Sequence, residues 1–137
     1  MMKVKPLVFL IVFFSLLLET SWIVRPSRPV NAAEEQALIA TIKLRSGDMG
    51  SSEEPRHIVA LEHELSEAIK QSAVGEFDGD EYGGGVCDIY MYGPSAERLL
   101  WVTLPLLEKF HPPAGSYVTK RYGRPGAKED RIELCDK

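Results

Sequence analysis

The chain has two cysteines, three histidines and a deficit of positive charge, and each shortage removes a class of function. Cys87 and Cys135 are far apart and form no C-x-x-C pair, so no cysteine-rich zinc module is written here. His57 and His63 are six residues apart and point to different faces of any helix. His111 stands beside Pro112 and Pro113, which suits a surface position. No zinc site follows from these three. With 16 Lys and Arg against 20 Asp and Glu, the formal net charge is −4. Nucleic-acid affinity comes mostly from neutralising phosphates, so this balance argues against such a partner, and the basic aromatic signature of RNA-recognition domains is also missing. Gly83, Gly84 and Gly85 precede a strand, with no Lys followed by Ser or Thr as a phosphate loop requires. Neither Cys87 nor any serine sits in a recognisable motif with a histidine. The expectation is a protein without metal or cofactor that works by binding rather than catalysis.

What is present begins with Lys3 and Lys5, followed by twelve largely apolar residues, 7–18. A basic start with a core of that length is the pattern of a secretory signal peptide, whereas a bilayer span needs roughly 20 residues. Cleavage after Ala32 puts Val30 and Ala32 at the small-residue positions of the site. Residues 1–32 are then a signal peptide and 33–137 a single domain, secreted or periplasmic. The alternative is a membrane anchor through residues 7–24, where Glu19 is the one charge. Removing residues 1–32 leaves twelve basic against nineteen acidic side chains, a net charge of about −7.

Within that domain, residues 37–44 carry the β-branched alternation of a strand. Ser52 offers a helix cap, and Ile58, Leu61, Leu65, Ala68 and Ile69 form an apolar stripe through about Ser72. A short strand, a polar glycine-rich hairpin loop and a longer strand at 86–92 follow. A helix over 95–110 then carries Leu99, Val102, Leu106 and Phe110 on one stripe, with a kink expected near Trp101 because Pro105 removes a backbone bond. Residues 116–122 read as a strand, and 131–135 as a short edge strand. The order β-α-β-β-α-β, with an extra C-terminal strand, predicts an α+β, ferredoxin-like fold with both helices on one face of an antiparallel sheet.

The run Gly75 to Gly85, then Tyr90-Met-Tyr-Gly-Pro-Ser-Ala-Glu97 with Leu99, and later Arg121-Tyr122-Gly123, resembles a group of small uncharacterised bacterial proteins. Their shared pattern is G-x-x-D-G-x-E-x-G-G-G, Y-x-Y-G-P-x-A-[DE]-x-L and R-Y-G. The resemblance implies the ferredoxin-like fold and carries no known activity, so no functional residue transfers.

Three sets of residues merit attention. Asp78, Asp80 and Glu81 make a candidate functional loop, and with Asp88 they are the carboxylates that a small hydrolase would use. Asp78 opens the loop like an EF-hand, yet Tyr82 and Ile89 occupy its fifth and twelfth positions, so calcium is not expected. Tyr90, Tyr92 and Tyr117, and by extension Tyr122, are candidates for the open face of the sheet, a surface for a homodimer or a protein ligand. Cys87 and Cys135 make an even count in an exported chain, which favours a disulfide. The opposing reading is a buried Cys87 acting as a small apolar residue.

Overall fold

A computed structural model of the chain describes residues 34–51 and 53–134. The N-terminal apolar run, its expected cleavage site and Cys135 lie outside the described residues. The elements are β1 (Gln36–Lys43), α1 (Glu54–Ser72), β2 (Glu76–Gly83), β3 (Val86–Gly93), α2 (Ala96–Lys109), β4 (Tyr117–Arg121) and β5 (Glu129–Glu133). All strand pairs are antiparallel, in the order β2-β3-β1-β4-β5. This is the expected α+β, ferredoxin-like arrangement with one added edge strand.

Register divides the residues between two faces. Toward the helices lie Leu38, Ala40 and Ile42 of β1, Cys87, Ile89 and Met91 of β3, and Val118 of β4, all essentially without solvent contact. Ile58, Leu61, Leu65 and Ile69 of α1 and Leu99 and Leu107 of α2 close this core. At about 25 cal/mol per Å² of apolar surface, burying side chains of this size contributes on the order of 2 kcal/mol each.

Glu53, not Ser52, precedes α1, and it caps no backbone group with its side chain. Glu54 instead reaches back to accept bonds from the N–H groups of Arg45, at 2.6 Å, and Ser51, at 3.0 Å. Those bonds hold its carboxyl at a pKa of about 2. The helix ends where Ala73 turns left-handed (φ 51) and Val74, buried beside the core, donates its N–H to the Ile69 carbonyl.

α2 is properly capped, Ser95 Oγ accepting from the Arg98 N–H at 3.3 Å. It runs unbroken through Pro105. The proline and the exposed Trp101 lie on the solvent side, where water can replace the missing backbone bond. The buried line of this helix is Ala96, Leu99, Thr103 and Leu107, so Val102, Leu106 and Phe110 are only half-buried, rotated from the expected centre. Thr103 is tolerated there because its hydroxyl donates to the Leu99 carbonyl at 2.8 Å.

Candidate functional site

The expected acidic loop is a strand. β2 continues to Gly83, and the hairpin turns on Gly84 and Gly85 alone, whose φ values of 57 and 78 suit a tight two-residue connection. Asp78 occupies a bulge between Phe77 and Gly79. Asp80 pairs with Ile89 and faces the helices, whereas Glu81 pairs with Asp88 and faces away. Asp78, Asp80 and Glu81 therefore do not converge on one site.

Asp80 does meet chemistry on the helix side. Its carboxylate oxygen lies 3.9 Å from Cys87 Sγ, and one ligand atom each from Asp80, Cys87 and Glu62 of α1 fall within 4.8 Å of one another. Tyr82, opposite Cys87 in the ladder, completes the group. Glu62 Oε1 and the Tyr82 hydroxyl are buried without a hydrogen-bond partner among the described residues. Burial first, and the Asp80 charge second, push the Glu62 carboxyl up to about 7. Burial is also the main cause that pushes the Cys87 thiol up to about 12 and raises the Tyr82 phenol. A thiol held neutral is a poor nucleophile and a poor ligand. Two of the three donors, Glu62 and Cys87, favour their protonated forms, and three are fewer than the four that a structural zinc site employs. What the group offers is a half-buried Glu62 carboxyl that holds its proton up to about pH 7, beside the exposed Asp80.

Glu62 was missed by sequence reasoning, although a signal exists. It stands four residues after Ile58 and three before Leu65, on the core-facing stripe of α1. A carboxylate at that spacing is a partly buried one.

The other face carries three rows across the sheet, given by the register. The first is Glu76, Tyr92, Ala37, Arg121 and Glu129. The second is Gly79, Tyr90, Ile39, Thr119 and Arg131. The third is Glu81, Asp88, Thr41, Tyr117 and Glu133. Thr41 donates to Asp88 at 2.5 Å, and Tyr90 to Glu81 at 3.4 Å. The Arg131 guanidinium lies 3.4 Å from the centre of the Tyr117 ring, a cation–π stack that shields the β5 edge. Burial, with the nearby Asp88 and Glu81 charges, raises the Tyr90 phenol, so it stays a neutral donor. Tyr90, Tyr92 and Tyr117 thus share this face as expected. Tyr122 does not: it follows β4 with the opposite parity, and its hydroxyl reaches Glu97 in the first turn of α2 and Asp130 of β5.

No family model, curated protein or solved structure matches the chain. Among the described residues no helix is long and apolar enough to cross a membrane.

Proposed function

We propose that this is a non-catalytic binding domain of an exported protein, and that it takes a protein surface, a second copy of the chain included, on the face of Tyr90, Tyr92 and Tyr117. The observation that carries the reading is the continuous patch Tyr92, Tyr90, Ile39, Thr119 and Tyr117, half-buried in place while both helices pack on the opposite side. Rigid tyrosines supply large contact area at small entropic cost, and each keeps a polar end for the partner. Glu76, Glu81 and Asp88 border the patch on one side and Arg121 and Arg131 on the other, a polar rim of the kind that interfaces carry. The basic start and apolar run of residues 3–18 support export. The test is capture from a cell-envelope extract with the wild type and with Tyr90→Ser/Tyr92→Ser/Tyr117→Ser. Partners retained equally by both would remove the reading.

A second reading is a small hydrolase, moved from the Asp78 to Asp88 carboxylates to the Glu62 and Asp80 pair. It is favoured by one observation, the raised Glu62 pKa beside an exposed carboxylate, since general acid and base pairs need unlike values. Loss of a hydrolytic activity in Glu62→Gln, with binding by the tyrosine face intact, would select it.

A further inference from the structure

The outer faces of the two helices differ. Apart from Val59, that of α1 is largely polar, with Arg56, His63 and Lys70 exposed, as suits a helix that meets water. In α2, Leu99 to Leu107 are nine consecutive residues without a charge, and a helix that is apolar all round is normally covered all round. Its inner line, Leu99, Thr103 and Leu107, is covered by the core. Its outer line is not. Trp101 is 82% exposed, Pro105 is exposed one turn further on, and Val102 and Leu104 flank them half-buried.

Arg98, Trp101, Pro105 and Glu108 recur at spacings of three, four and three, which sets them on one face of α2, and all four are exposed. The stripe is complementary to its own reverse: an apolar pair in the middle, a cation three residues before it and an anion three residues after it. Two α2 helices laid antiparallel about a two-fold axis at the level of Thr103 set Arg98 of each copy against Glu108 of the other. The same operation sets each Trp101 against a Pro105. A parallel pair would oppose like charges instead. Within one helix Arg98 and Glu108 are about 15 Å apart, too far to meet, and among the described residues neither takes part in a salt bridge. Glu97 and Lys109 are engaged already, with Lys120 and Glu64. The sheet lies behind α2, so nothing of the fold obstructs the approach. Ends of opposite sign suit a second copy better than a lipid surface, which would have to accept Glu108 beside Trp101.

We propose that a second copy of this chain docks on the outer face of α2 as an antiparallel helix pair, with Trp101 packed on Pro105 at the centre and Arg98 on Glu108 at both ends. Tryptophan and arginine are the residue types on which binding energy concentrates. Three turns of helix bury less than a standard interface, so the dimer is a weak one, formed in the micromolar range. It lies on the helix side, opposite the tyrosine face, and the two surfaces are used independently.

The test is sedimentation velocity of the full chain carrying Tyr90→Ser/Tyr92→Ser/Tyr117→Ser, which silences the other face and leaves the α2 dimer as the remaining complex. In that chain Arg98→Glu, or Glu108→Arg, is expected to weaken association about tenfold, because each opposes like charges across the two-fold axis. The double exchange Arg98→Glu/Glu108→Arg is expected to restore it. So is an equimolar mixture of the two single variants, since opposite charges again stand face to face. Trp101→Ser removes an exposed side chain and is expected to weaken the dimer at least as much, with unchanged circular dichroism. A chain that stays monomeric, or association indifferent to the charge exchanges, would overturn the proposal. Trp101-dependent binding to phosphatidylcholine vesicles by a chain that forms no dimer would overturn it in favour of a lipid surface.

Discussion

The carboxyl of Glu62 on α1 shares a pocket with that of Asp80 on β2, and the two have different access to water. Because burial raises Glu62 from 4.5 to about 7, the folded state holds a proton that the unfolded chain releases near pH 4.5. The corresponding stability is complete below about pH 4.5, declines between 4.5 and 7, and is gone above that. Allowing for the part of the side chain that water screens, the change is about 2 kcal/mol. Glu62→Gln should therefore unfold at higher denaturant than the wild type at pH 8 and like it at pH 4.5, measured as urea midpoints. A constant difference across that range would contradict the raised pKa.

Gly75 and Gly93 lie against each other where β2 begins and β3 ends. A methyl on Gly75 would run into the Tyr92 carbonyl, and one on Gly93 into that of Val74, both fixed backbone groups. Gly75→Ala and Gly93→Ala should each cost more than about 3 kcal/mol, whereas Gly83→Ala, with open space around it, should cost under about 1. Thermal unfolding of the three variants checks the order. The first glycine of the G-x-x-D-G run and the glycine of Y-x-Y-G-P are thus there for close backbone approach.

Lys120 is buried, and its ammonium lies 2.5 Å from Glu97 Oε1 in the first turn of α2. The lysine's hydrogen bond is the main cause that holds the Glu97 carboxyl below its ordinary value. Stability from this pair is present above the unfolded carboxylate pKa and is lost as acid protonates Glu97. Lys120→Ala should lower stability at pH 7, through the packing of its buried stem and the loss of the ion pair, and the deficit should shrink by pH 3. Denaturant titrations at the two values decide it.

Cys87 is a buried thiol, and the register sets it in one row with Ile42, Ser116 and Leu134. Three strand spacings place Leu134 roughly 14 Å from Cys87. Cys135 is one residue further, about 3.8 Å of chain, while a bridge requires Cα atoms within about 7 Å. An intrachain bridge between Cys87 and Cys135 is therefore not expected, despite the even count. Alkylation of the unreduced, denatured chain followed by intact mass should show two additions. Under native conditions Cys87 should react slowly, as a thiol pushed up to about 12 implies. A mass showing no additions without reductant would contradict this.

Strands with one wet and one dry face were readable, because Cys87, Ile89 and Met91 alternate with Tyr90 and Tyr92. The stripe of α1 was readable for the same reason, and the two together are enough to imply the topology. The extent of β2 was not, because Asp78, Gly79, Asp80 and Glu81 are poor strand formers by composition and read as a loop after a short strand. They are accommodated because β2 is an edge strand with most of its residues exposed, and a bulge absorbs Asp78. The buried line of α2 was misplaced by one position because Thr103 reads as polar, and only its bond to the Leu99 carbonyl makes burial acceptable. The acid and thiol group was hidden for a different reason: Glu62, Asp80 and Cys87 come from three elements, and their meeting depends on register.

The account rests most on the tyrosine face as the working surface. The direct measurement is sedimentation velocity of the full chain over a range of concentrations, alone and with cell-envelope extract, beside Tyr90→Ser/Tyr92→Ser/Tyr117→Ser. The account predicts a complex, self-associated or mixed, that the wild type forms and the variant has lost at equal folded fraction. A wild type that stays monomeric and unaccompanied throughout, or a variant that forms the same complex, would contradict it.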